Sequence, residues 1–236
     1  MKRIRAITIG LIAIFLSGSL VLFPPAFFRV QEVVVTQPPK HLSEMDLIRL
    51  SQVRKGDSLL TLRLSKVREN LLRYPWIRDV KLLKRFPGRL EIWVEEQSPV
   101  ALLELNESGT VSKYLVNRDG KIFKKLTPGD PKDLPAITGL TPQELPVFLK
   151  RFISFTQDFE KSPALKGVGI SELHWGKDGL TLFTKEPCIK VEMGMNGWEE
   201  SLGRLASSWE TIRSTSKNPK AVNLSLKKGI VVKTRG

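Results

Sequence analysis

The 236-residue chain is poor in the residues that build reactive centres: one cysteine, Cys188, and two histidines, His41 and His174. A single thiol closes no intramolecular disulfide, and this set cannot supply a cysteine-rich or histidine-rich metal site. Acidic residues are also scarce, with 24 Asp and Glu against 38 Lys and Arg, a formal net charge of +14. The excess is spread along the chain, +3 over residues 1–28, +4 over 29–104 and +7 over 105–236. No basic block interleaved with aromatics is present, so no nucleic-acid signature emerges. A diffuse basic surface attracts anionic lipid, acidic partners or an anionic polymer. The repeated alternating segments of roughly ten residues that an outer-membrane barrel needs are missing as well. A length of 236 residues with 41% hydrophobic composition fits one or two small folded domains.

Catalytic arrangements find little support. His174 and Cys188 could form a Cys/His pair, but Cys188 opens a predicted strand among apolar residues and is expected to be a buried structural thiol. Glu95 and Glu96 are adjacent strand residues that point to opposite faces, so they cannot flank one bond. Gly167-Val168-Gly169 is not followed by the helix that a phosphate-binding loop requires. Trp93 is predicted to face outward from its strand. The expectation is a protein that is not an enzyme and carries no cofactor.

What is present begins at the N-terminus. Lys2, Arg3 and Arg5 precede an uncharged run over residues 6–28, and its best helical stretch is 7–23, ahead of Pro24-Pro25. A spanning helix needs roughly 17–25 apolar residues. The basic cluster should remain cytoplasmic, which places the bulk of the chain outside the cytoplasm. A cleaved signal peptide is the rival reading, with Ser17-Gly18-Ser19 near a cleavage point; the continuation Leu20-Val21-Leu22-Phe23 favours an uncleaved anchor. The expected organisation is a cytoplasmic N-terminus over 1–6, a transmembrane helix over 7–27 and two soluble domains over 28–104 and 105–236.

In the first domain Val30, Val33, Val34 and Val35 mark a strand. Ser43 and Asp46 form a partial capping box for one helix, and Ser65 is predicted to cap a second that runs to Tyr74 before Pro75. A hairpin follows over 77–96, turning at Pro87-Gly88, with Leu90, Ile92 and Val94 inward. The order β-α-α-β-β suggests an antiparallel sheet with two helices on one face.

In the second domain Asp119-Gly120 turns a hairpin, and Thr141-Pro142-Gln143-Glu144 is a capping box with Pro at the first helical position. Leu145, Phe148, Leu149, Phe152 and Phe159 then line one helix face. Strands are predicted over 168–175, 180–184 and 189–193. Asn196 should cap a second helix carrying Trp198, Leu202, Leu205, Trp209 and Ile212. Two last strands fall over 221–226 and 230–233. The fold class is therefore α+β: a membrane helix, a β-α-α-β-β domain, and a mixed, mostly antiparallel sheet domain with two helices.

The string from Tyr74-Pro75-Trp76-Ile77 through Arg85-Phe86-Pro87-Gly88-Arg89-Leu90 to Val94-Glu95-Glu96-Gln97-Ser98-Pro99-Val100-Ala101 resembles a POTRA domain of the FtsQ/DivIB family. The hairpin over 115–123, the Leu134-Pro135-Ala136-Ile137-Thr138-Gly139 segment, Gly194 and the final strand pair resemble the β domain of that family. The family often has Asp where this chain has Asn223. The resemblance implies a non-catalytic scaffold of the divisome at the septum, anchored in the inner membrane, with FtsB and FtsL as partners. It also implies a contact strip on the last strand: Leu226, Lys228, Gly229, Ile230, Val231 and Val232. A final strand with an uncovered edge independently invites strand addition, and Lys227, Lys228 and Lys233 favour an acidic partner segment. The other reading of those lysines is a charged edge that only blocks aggregation. Other functions left open are a POTRA-bearing transport accessory and a membrane-tethered polymer binder, with no nucleic acid expected.

Overall fold

The computed structural model describes residues 25–37, 39–107, 109–215, 219–226 and 229–234. The predicted membrane helix lies outside them except for its last residues, which begin a short 3-10 helix, Pro25–Phe28. Lys2, Arg3 and Arg5 also lie outside. Among the described residues no helix is long and apolar enough to cross a membrane. The chain divides into two compact units, Met1–Gln97 and Ser98–Gly236.

The first unit contains β1 (Glu32–Gln37), α1 (Glu44–Ser51), α2 (Leu64–Leu72), β2 (Ile77–Arg85) and β3 (Arg89–Glu96). Its sheet order is β1-β3-β2. The β2–β3 pair is antiparallel, but β1 runs parallel to β3, so the expected antiparallel sheet is mixed. The two helices and β2 together form a connection long enough to bring β3 alongside β1 in the same direction. Ser43 caps α1 as expected, its Oγ accepting from the Asp46 amide at 3.2 Å. Ser65 does not cap α2. The amides of Lys66 and Val67 already bond the Arg63 carbonyl, so the helix starts two residues earlier, and Arg63 caps it without a side-chain bond.

Val30, Leu47, Leu59, Leu71, Leu90 and Ile92 pack the core between sheet and helices. At one end of β3, His41 stacks on Trp76 with ring centroids 3.6 Å apart, and its Nδ1 lies 2.8 Å from Glu96 Oε1. Burial alone would raise the Glu96 carboxyl, yet the His41 side chain and the His41 and Lys40 amides outweigh it and hold the group below its ordinary value. At the other end, Gly88 takes a φ of +67°, donates to the Phe27 carbonyl and accepts from the Gln31 and Glu32 amides. The hairpin turn is thus tied to the segment that leads into β1.

The second unit is one nine-stranded sheet in the order β12-β11-β10-β9-β8-β7-β4-β5-β6. Its strands are β4 (Pro99–Glu107), β5 (Thr110–Asn117), β6 (Ile122–Lys125), β7 (Ala136–Thr138), β8 (Ile170–Gly176), β9 (Gly179–Thr184), β10 (Lys190–Gly194), β11 (Pro219–Asn223) and β12 (Val231–Thr234). β4 was not expected, and the boundary placed between residues 104 and 105 falls inside it. Ala101, Leu102 and Leu103 are all buried there, so the strand is covered on both faces and lacks the alternation of a half-exposed one. Parallel pairs join β4 to β7, β7 to β8 and β10 to β11, and the other pairs are antiparallel.

Two helices supply the apolar cover, α3 (Leu145–Lys161) and α4 (Trp198–Thr215). They meet through Phe148, Phe152, Trp198 and the β8 residue Trp175, with ring centroids 4.2 to 6.3 Å apart. The Arg151 guanidinium sits 4.2 Å over the Trp198 ring. The predicted capping box is only half made. The Glu144 carboxylate receives the Thr141 amide at 2.8 Å and the Thr141 hydroxyl at 2.7 Å, while the helix itself begins at Leu145. Its other oxygen takes the Trp175 indole N–H at 2.9 Å, which ties the helix start to the aromatic cluster.

These bonds, the Thr141 amide foremost, hold the Glu144 carboxyl below its ordinary value of 4.5. A depressed carboxyl stabilises the fold fully above 4.5 and loses that contribution as pH falls through its folded value. Glu144→Gln should therefore flatten the decline of the thermal midpoint of the second unit as pH falls below 4.5, followed by calorimetry. An unchanged slope would show that Glu144 carries none of the acid sensitivity.

Candidate partner-binding edge

Among the described residues β12 pairs with β11 alone, so its other side is an open edge of the nine-stranded sheet. The register sets Asn223 against Val231, Val222 against Val232 and Ala221 against Lys233. Directly opposed residues share a face. Val232 therefore lies with the buried Val222 and packs on the core, as Ile230 also does. Val231 and Lys233 lie on the open face with Asn223. Val231 is 46% exposed and Leu226 48% exposed, a high value for apolar side chains beside a core. Gly229 takes a φ of +81°. Of the predicted strip, Leu226, Gly229, Ile230, Val231 and Val232 thus come together on this hairpin, whereas Lys228, with its neighbour Lys227, lies outside the described residues.

Three interactions set the position of the hairpin. Arg204 on α4 donates Nη1 to the Leu226 carbonyl at 2.8 Å and Nη2 to the Leu224 carbonyl, and its buried Nε has no partner among the described residues. Asn223 donates Nδ2 to Glu192 Oε2 at 2.7 Å, and its Oδ1 accepts from the Ser225 amide at 2.9 Å. An amide fills both roles. An aspartate here would set two carboxylates together, so the residue suits this chain's Glu192, which Lys190 also bonds at 2.7 Å. Gly179, at φ +95°, comes so close to Gly194 that a Cβ would lie 2.2 Å from the Gly194 carbonyl carbon, and a Cβ on Gly194 would lie 3.2 Å from Ser225. The turn before β9, the end of β10 and the chain after β11 are stacked backbone on backbone.

Arg204 and Glu192 were not singled out in the sequence. Arg204 bonds backbone carbonyls, which leave no residue-type pattern to read.

The remaining candidates do not converge. Cys188 is exposed, contrary to the expected buried thiol. It lies in the loop before β10, and Ile189 takes the buried position instead. His174 Nδ1 bonds the Thr138 hydroxyl at 2.7 Å, and that hydroxyl also reaches Glu172. Trp93, expected to face outward, is half-buried. Among the described residues no group of three or more His, Cys, Asp and Glu could hold a metal.

A β-α-α-β-β module followed by a broad sheet with an open terminal edge defines a POTRA-type protein with a second, β-sheet module. A family model described as "POTRA domain, FtsQ-type" matches residues 28–97, and one described as "Cell division protein FtsQ/DivIB, C-terminal" matches residues 106–225. A cell division protein FtsQ of Geobacter sp. (strain M21) is 31% identical over 209 residues, covering 86% of this chain and 75% of the relative. One of Geotalea daltonii is 28% identical over 88% of this chain and 76% of its own length. One of Myxococcus fulvus is 39% identical over 65 residues, 28% of this chain and 23% of the relative. The chain belongs to the FtsQ/DivIB family of cell division proteins. The second match ends at residue 225, before β12 begins.

Proposed function

We propose that this protein is a non-catalytic scaffold of the divisome, held in the plasma membrane by one N-terminal helix with most of the chain outside the cytoplasm. It links early and late division proteins and keeps FtsB and FtsL at the septum for peptidoglycan synthesis. The open edge of β12 carries this reading. The edge offers unpaired backbone groups, an exposed Val231 and a basic Lys233, which suit an extended acidic segment added as a further strand. Family membership supports the setting in cell division. In cells depleted of the protein, fluorescent FtsB and FtsL should leave the septa. Retention of both at septa in depleted cells would sink the scaffold role.

A further inference from the structure

A second surface sits at the tip of the β2–β3 hairpin. Phe86 is 46% exposed there, and its ring lies 6.0 Å from Phe27 and 5.9 Å from Phe28, which are 5.3 Å apart. Next to the three phenylalanines along the chain are Arg29, Lys84, Arg85 and Arg89, against the carboxylates Glu32 and Glu91, and the register pairs Arg85 with Arg89 across the turn and Arg89 with Glu32 on β1. Arg85 Nε reaches the largely covered Glu91 at 3.2 Å, and Arg89 Nε reaches Glu32 at 3.1 Å in an exposed pair of little strength. The tip is therefore aromatic at its centre and net basic at its rim.

Chain continuity says what covers it. The uncharged run over residues 6–28 feeds directly into this cluster. The four residue steps from Phe23 to Phe27 reach at most about 14 Å when fully extended. The 3-10 turn Pro25–Phe28 shortens that reach, since it rises only about 2 Å per residue. The Gly88 amide bonds the Phe27 carbonyl, which ties the hairpin turn to this entry point. The headgroup zone on each side of the hydrocarbon is about 6 Å thick. Aromatic rings with arginines beside them suit that zone, where the rings enter the acyl boundary and the guanidinium groups stay with the phosphates.

We propose that the Phe27–Phe28–Phe86 tip is a lipid contact that seats the first unit on an anionic bilayer surface. The inference rests on the membrane-anchor reading of residues 7–27. The test uses the full chain with Cys188→Ser, reconstituted into vesicles containing phosphatidylglycerol. A fluorophore is placed at Phe86→Cys or Pro87→Cys, and in a control at Glu95→Cys, six residues along β3 from Arg89. That control lies about 20 Å from the tip. Circular dichroism checks that each variant is folded; with two tip positions, one disturbed fold does not end the test.

Brominated lipid should quench the tip labels about twofold more strongly than the control, with the opposite order for aqueous iodide. Arg85→Glu with Arg89→Glu should reduce that difference. A chain that stays with the vesicles through alkaline carbonate but shows equal quenching at tip and control overturns the lipid contact and leaves the anchor intact. A chain stripped off by carbonate overturns the anchor and the inference together.

Discussion

Val231→Glu should weaken binding of the full chain to the extracytoplasmic segment of FtsB by about tenfold to a hundredfold, measured by fluorescence anisotropy. The side chain is 46% exposed on the open face, so the substitution should change folding stability by no more than about 0.5 kcal/mol. A strand added to β12 would bring its own side chains within about 5 Å of position 231. A glutamate there meets an acidic partner as a like charge and replaces apolar contact with a group that needs water. Proline substitutions separate backbone from side-chain effects. In an antiparallel ladder successive residues direct their N–H groups to opposite sides. Of Val231→Pro and Val232→Pro, one removes a bond to β11 and the other removes only an outward donor. The second kind should abolish binding while leaving circular dichroism unchanged. Unaltered affinity in folded Val231→Glu and in both proline variants would move the partner site away from this edge.

Trp198→Ala should cost the second unit about 4 kcal/mol. The indole is 1% exposed, packs on Phe148, Phe152 and Trp175, lies under Arg151, and donates Nε1 to the Gly194 carbonyl at 3.1 Å. Domains are typically stable by only 5–15 kcal/mol, so the variant loses a large share of the total. The thermal midpoint should fall by about 15 °C. Trp198→Phe keeps an aromatic ring but leaves the Gly194 carbonyl without its donor, and should cost about 1–2 kcal/mol. The Gly194 backbone lies against Gly179 and Ser225, so Trp198→Ala should also loosen the approach to β12. Equal midpoints for wild type and Trp198→Ala would mean that the aromatic cluster does not limit the stability of this unit.

Much of this was legible in the sequence because each face was written in a simple period. Leu90 and Ile92 alternate with Glu91 and Trp93 and are buried as that pattern requires. Trp198, Leu202, Leu205, Trp209 and Ile212 follow helical spacing and all face the core. The failures have equally physical sources. β4 is covered on both sides and shows no alternation to read. The parallel β1–β3 pairing is a long-range choice that local propensity does not encode. Ser65 suited a cap by residue type, but the backbone turn had already closed on Arg63. Cys188 lost the expected burial because β10 begins only at Lys190, which leaves the thiol in the exposed loop ahead of it. The open edge was legible only as the last strand, because the Arg204 clamp acts on carbonyl groups that every sequence has.

The strand order gives the sheet a direction of growth. It contains one seam, β4 against β7, from which two arms extend, and along each arm every neighbour is the next strand in the chain. Such an arm can add strands one at a time, each on a template already in place, and needs few distant encounters during folding. β12 closes the longer arm and, like β6 at the other border, is held through one ladder, so its amides should exchange with solvent through smaller local openings than those of the interior strands. A strand bound to it would turn that frayed border into an interior position. Assembly would then finish the fold, and hydrogen exchange in β11 and β12 would slow together with partner occupancy.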